Sequence, residues 1–151
     1  MNAFAPANPD FAATSRTSLA RQAVMSRFGI EMTAIGAGTY ELTMAWRADL
    51  TQQNDYIHGG IVSTLADSAA DYACHTLVAA SVDVLTVEYK INFLALAAGP
   101  PLIARGTVIR VGRTLLVGHA DVYASAGDGS GDGAGESICV TLTETIMTRP
   151  G

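Results

Sequence analysis

The chain is poor in the residues that usually carry redox or metal chemistry, with two cysteines and three histidines in 151 residues. Cys74 and Cys139 stand far apart, with no C-x-x-C pair and no disulfide-framework spacing. His58, His75 and His119 show no metal-ligand spacing, which argues against a zinc or iron centre. Charged residues make up only 15% of the chain and the formal net charge is −5, so a basic surface for nucleic acid is missing. No apolar run approaches the roughly 20 residues that cross a bilayer, and the start lacks a basic stretch followed by an apolar one. The expected setting is soluble, reducing and cytoplasmic, with no membrane partner.

Hydrophobic residues are plentiful at 49%, enough for one domain with a sizeable core, and no interior stretch has linker composition. Residues 1–14, with Pro6, Pro9 and small residues, read as a flexible arm, leaving 15–151 as the domain. From Ser15 to Phe28 the spacing of Leu19, Ala23, Val24 and Phe28 predicts a helix, with Gly29 as its stop. The period then changes. Glu31–Ile35 and Thr39–Trp46 around the Gly36–Gly38 turn predict a hairpin, and four further strands are expected over Val84–Leu96, Leu102–Val111, Thr114–Ala124 and Ser137–Thr148. Short connections favour antiparallel neighbours, so the fold class is α+β: one curved antiparallel sheet wrapped around one long central helix.

That helix is organised by the stretch from Gln52 to Ala79, where a polar turn with Asn54 and Asp55 runs into the Gly59-Gly60 pair. A helix opening near His58 to Gly60 leaves backbone N–H groups unpaired at its positive end, suited to an oxyanion. Two glycines there let a carbonyl approach with no Cβ in the way. Val62, Leu65, Ala66, Ala69, Ala70, Ala73 and Leu77 form an apolar face whose alanines suit close packing on a sheet. Ser63, Thr64, Asp67, Asp71, Cys74 and His75 fall opposite, where a solvated surface is the simpler expectation. Asp67 lies seven residues past Gly60, roughly 10 Å along the axis. One carbonyl cannot touch both, so the two groups combine only if a second copy of the chain supplies Asp67.

Other candidates weigh less. Cys74 and His75 are adjacent, point about 100° apart on a helix, and so do not form a nucleophile and base pair. Asp128, Ser130, Asp132 and Gly133 fit the first half of a calcium loop, but its twelfth position falls on Cys139, so Gly127–Gly135 reads as a flexible hairpin loop. His119 is expected to face solvent from its strand. Lys90, Arg105, Arg110 and Arg113 cluster in sequence and are candidates for a phosphate-bearing small ligand.

The segments T-Q-Q-N-D-Y-I-H-G-G-I-V-S-T-L-A-D-S-A-A-D-Y-A at 51–73 and L-T-V-E-Y-K-I-N-F-L-A at 85–95, with Gly106 to Thr114, resemble the hotdog-fold acyl-CoA thioesterases of the phenylacetate-pathway (PaaI-type) branch. The resemblance covers roughly 36–148. It implies a hotdog fold, dimers with a continuous sheet that pair into homotetramers, and two active sites at each dimer interface. It implies hydrolysis of an aryl-acyl or short to medium acyl-CoA to free acid and coenzyme A, with no metal or redox cofactor.

By the same resemblance the catalytic set is Asp67 as base or nucleophile, Gly59 N–H as oxyanion donor, Gln52 as carboxamide helper, Thr86 as the hydroxyl holding water, and His58 of the H-G-G motif. Asn54, Gly60, Tyr56, Lys90 and Arg113 are the expected substrate-binding residues, and Ile61, Tyr72 and residues 82–85 complete the expected acyl pocket. Family members carry asparagine where Gln52 stands, so Gln52 and Asn54 both remain candidates for the carbonyl. Ala95 and Leu96 stand where a basic residue and proline are usual, which leaves Arg113 or Lys90 for the coenzyme A phosphates. The alternative reading is a non-catalytic acyl-CoA-binding hotdog module, which keeps the glycine pair but has no need of Asp67. A hotdog hydratase needs a catalytic histidine paired with an acid, and His58 lacks the D-x-N-x-x-H spacing.

Overall fold

The β-branched and apolar alternation after Ile30 produces six strands, and each hydrogen-bonded pair among them runs antiparallel. They are β1 (Ile30–Gly36), β2 (Thr39–Met44), β3 (Val82–Phe93), β4 (Leu102–Val111), β5 (Leu115–Ser125) and β6 (Glu136–Pro150), in the order β1-β2-β4-β5-β6-β3. The structure, a computed structural model, describes residues 4–97, 101–125 and 136–150. The loop expected at Gly127–Gly135 lies outside these residues. Strand β2 ends at Met44 short of Trp46, and β3 at Phe93 short of Leu96, where Leu94 and Ala95 N–H both turn to Cys139 O.

The helix inside this sheet is α3 (Gly59–His75), and the expected apolar face is the buried one: Val62, Leu65, Ala66, Ala69, Ala70, Ala73 and Leu77 are all covered. Small side chains let the helix lie almost on the strands. At Gly106 of β4 a Cβ would stand 1.9 Å from Ala69 O, and at Gly118 of β5 one would stand 3.2 Å from Ala70 O. The sheet curves around α3 as the hotdog resemblance implies. The expected polar face needs correction at two positions, because Cys74 is fully buried against the sheet and Asp71 has its Oδ1 covered.

The N-terminal expectations are corrected in detail. The predicted helix over 15–28 is two helices, α1 (Phe11–Ala20) and α2 (Ala23–Phe28), broken where Gln22 turns extended and donates from Nε2 to Tyr72 OH at 3.0 Å. Residues 11–14, expected in a flexible arm, are helical. Ahead of them Ala7 N–H donates to Leu77 O and Asn8 is buried, so the described part of that segment is laid against the domain. Leu19 and Met25, not Ala23 and Val24, carry the buried stripe, since the break at Gln22 shifts its phase. Gly29 does stop α2, in the left-handed conformation at φ 67°.

Candidate active site

The loop before α3 is closed on itself. Thr51 bridges Ile57, Gln52 N–H donates to Tyr56 O at 2.8 Å, and Asp55 takes a left-handed φ of 65° to complete the turn. Gln52 Oε1 accepts from Asn54 N–H at 2.6 Å, which commits its carbonyl end to the turn and leaves Nε2 without an acceptor among the described residues. Asn54 is exposed, and its side chain makes no hydrogen bond to a described residue. Tyr56 is half-buried in the same loop.

His58 caps the helix: its Nδ1 accepts from Gly60 N–H at 3.0 Å, while its carbonyl receives Ile61 and Val62 N–H. The Gly60 amide is therefore occupied, and the His58 ring is placed as a cap. The Gly59 N–H meets no acceptor among the described residues. Phe93 of β3 stands over Gly59, where a Cβ would come within 3.2 Å of its ring. An open amide at a positive helix end, bare of side chain, has the chemistry to receive an oxyanion.

Asp67 lies two turns further on. Thr86 Oγ1 of β3 donates to its Oδ1 at 2.9 Å. Sequence spacing alone missed what lies beside it. Asp71, one turn along α3, has its Oδ1 covered and unpartnered, and burial together with the Asp67 charge pushes its pKa up to about 8. Glu144 of β6 is 1% exposed, and burial, then the Asp67 carboxylate, pushes it up to about 10. The signal for Glu144 was the period-two run Leu142, Glu144, Ile146, which puts it on the inward face. Burial, reinforced by these two acids, also drives the Cys74 thiol far up, so it is no nucleophile.

The basic candidates separate. Arg105 is consumed by Glu41 at 2.8 Å and Glu136 at 2.5 Å, so it is not available for a phosphate. Lys90 Nζ donates to Asn92 Oδ1 and Ile91 O on the exposed face. Arg113 is exposed in the β4–β5 turn, with its side chain bonded to no described residue. Tyr72, expected to line the acyl pocket, is core instead: it is 2% exposed, bonds Ser18 and Gln22, and stacks on Tyr40. His119 is half-buried rather than solvated, with Nε2 3.2 Å from Asp121. Among the described residues no group of His, Cys, Asp and Glu is arranged to hold a metal ion. A cavity of about 310 Å³ lined by Tyr40, Glu41 and Arg105 touches neither Gly59 nor Asp67.

The thioesterase superfamily model matches residues 54–129, a span that takes in the loop from Asn54 onward, the helix and β3 to β5. A thioesterase family protein from Silicibacter pomeroyi, of known crystal structure, is 40% identical, with a TM-score of 0.87 over 93% of this chain and 99% of that one. The chain belongs to the thioesterase superfamily. A putative esterase of Saccharolobus solfataricus is 32% identical over 105 residues, 70% of this chain and 69% of that protein. The E. coli PaaI protein from the phenylacetic acid degradation operon is 20% identical with a TM-score of 0.80, over 93% of this chain and 94% of that one, and shares the fold. This superfamily member is a thioester hydrolase of hotdog fold.

Proposed function

We propose that this thioester hydrolase acts on an aryl-acyl or short to medium acyl-CoA, releasing free acid and coenzyme A at sites built between two copies of the chain. The observation that carries the proposal is the placement of two groups along one edge strand. The open Gly59 amide lies beside Phe93 at one end of β3, and Asp67 is bonded to Thr86 toward its other end. Antiparallel pairing of β3 with its own copy would set the Phe93 end against the Thr86 end of the second protomer. Gly59 of one protomer then meets Asp67 of the other. The unpaired edge carries exposed Leu85, Val87, Tyr89 and Phe93, apolar surface suited to such a partner. Homodimers of this kind can pair again into tetramers.

In this site the thioester carbonyl oxygen accepts from Gly59 N–H and from Gln52 Nε2, with Gln52 favoured over Asn54 because its other end is already fixed in the turn. Asp67 of the second protomer takes a proton from water, whose oxygen bonds the carbonyl carbon, and the carbonyl electron pair moves onto the oxyanion. Collapse of that intermediate breaks the C–S bond, and the proton on Asp67 passes to the departing thiolate. Thioester and water are consumed, acid and thiol are formed, and the chain is unchanged. A positioned base contributes on the order of 10²–10⁴-fold and an oxyanion donor about 10²–10³-fold. Tyr56 and Ile61 flank the acyl group, and Arg113 and Lys90 lie on exposed surface open to the coenzyme A phosphates. Beyond the coenzyme A of the substrate, no cofactor enters the reaction.

The test is release of free coenzyme A from a panel of acyl- and aryl-acyl-CoA thioesters by wild type and by Asp67→Asn, with folding verified. Turnover by wild type and its loss in the variant support the proposal. Binding of acyl-CoA by both proteins with hydrolysis by neither would make the chain a binding module.

A further inference from the structure

Glu144 is a carboxyl to which the described residues offer no cation. It sits in β6 between Leu142 and Ile146 with 1% of its surface exposed. Neither of its carboxylate oxygens has a hydrogen-bond partner among the described residues. From α3 it is faced by Asp67, Asp71 and Cys74. Across the register β3 places Tyr89 opposite it and β5 places Gly118, and its same-face neighbours along β6, Leu142 and Ile146, are apolar. Lys90 and His119 pair with Thr143 and so fall on the other face of the sheet. Three carboxyls gathered without a positive charge cannot all ionise, and the most deeply buried of them keeps its proton.

We propose that Glu144 is a positioning residue for thioester hydrolysis: as a neutral acid it gives its O–H to the Asp67 carboxylate from the sheet beneath, while Thr86 holds Asp67 Oδ1 from the edge strand. The inference rests on Asp67 acting as the base. Two donors of fixed direction set the plane of the carboxylate and stabilise its charged form, and a carboxylate has lone pairs enough to accept both and still take a proton from water. Burial and the charge of Asp67 raise Glu144 to about 10, so it is protonated throughout the neutral range. Its ionisation would remove the donor and bring a second negative charge against the base.

The test compares wild type, Glu144→Gln, Glu144→Leu and Asp67→Asn in kcat, KM and pH profile on one acyl-CoA, with the uncatalysed alkaline hydrolysis subtracted. Glutamine retains a neutral donor, so Glu144→Gln should hold kcat within about threefold of wild type and lack the alkaline fall that wild type shows near pH 10. Leucine fills the space without a donor and should cut kcat roughly tenfold or more at unchanged KM. The infrared band of a protonated carboxyl, present in wild type at pH 8, should weaken in Glu144→Gln whatever the activity. If Glu144→Leu does not fold, the pH profile and the infrared band of Glu144→Gln decide alone.

Loss of activity in Glu144→Gln equal to that in Glu144→Leu would overturn the proposal, as would full kcat in a folded Glu144→Leu. Full turnover by Asp67→Asn is a separate failure, of Asp67 as base, and removes the positioning role with it. An inactive Asp67→Asn beside a fully active Glu144→Leu removes the positioning role alone.

Discussion

Thr86 Oγ1 donates to Asp67 Oδ1 at 2.9 Å and so ties a carboxylate on the central helix to a strand whose outer edge has no partner among the described residues. The bond joins the chemistry to the edge. A hydroxyl pointing at a carboxylate fixes its rotamer and lowers the cost of keeping it charged.

Thr86→Val keeps the shape and removes the donor. A hydrogen bond to a charged group contributes about 1.5–3 kcal/mol, and at the transition state such a loss corresponds to roughly a tenfold or greater fall in kcat. Because the pair is exposed, the melting temperature should stay nearly unchanged. Steady-state kinetics beside a thermal melt check both; an unchanged kcat would show that Thr86 does not act through Asp67.

Most of the fold was legible because period and punctuation were strong. The strands follow alternating runs broken by glycine, and the alanine face of α3 was readable from 3.6-residue spacing alone. The exceptions are cases in which tertiary contacts overrode local pattern. Nothing in 15–28 announces a break at Gln22, since its cause is the Tyr72 hydroxyl some 50 residues on. Tyr72 reads as a pocket aromatic until α1 is seen to cover it. Asp71 and Glu144 carry ordinary labels in sequence, and become unusual only when helix and sheet close over them.

Those two acids set a pH dependence of stability. In the folded chain they titrate at about 8 and about 10, against ordinary values of 3.8 and 4.5. Above about pH 5 the unfolded chain has shed protons that the folded chain keeps, so their contribution to stability is full at low pH and is lost as pH rises through the folded values. The slope approaches about 1.4 kcal/mol per pH unit per group as an upper bound. Wild type should therefore lose stability between pH 7 and 8.5, and Asp71→Asn should lose less. Chemical denaturation at both pH values measures this, and parallel curves for the two proteins would refute it. His75, whose pKa burial lowers, acts in the opposite sense, so the comparison begins above its ordinary 6.5.

Gly106 is required by distance. Its Cβ in Gly106→Ala would stand 1.9 Å from Ala69 O, which is helix backbone and cannot turn aside as a side chain could. The whole of α3 must then lift from β4. Overpacking of this kind costs about 1–3 kcal/mol or more, which for a chain of this size is roughly 2–4 °C of melting temperature per kcal/mol. A loss of about 2–12 °C is expected; an unchanged melt would mean that the helix lies further from the sheet than a 1.9 Å approach requires.

The edge of β3 supplies the last prediction. Val87 is 56% exposed on that edge, and apolar strand edges invite pairing with another chain. Val87→Lys places a charge where a second β3 would pair, a device by which natural sheets keep their edges single. In the proposed site Gly59 and Asp67 come from different protomers, so loss of the dimer should remove activity even though both residues and the fold of each chain remain. Sedimentation should show a monomer, the far-ultraviolet circular dichroism should be that of wild type, and kcat/KM should fall about 10²-fold or more. A folded monomer with wild-type turnover would mean that one chain completes the site alone, and the assignment of Gly59 and Asp67 to different protomers would be wrong.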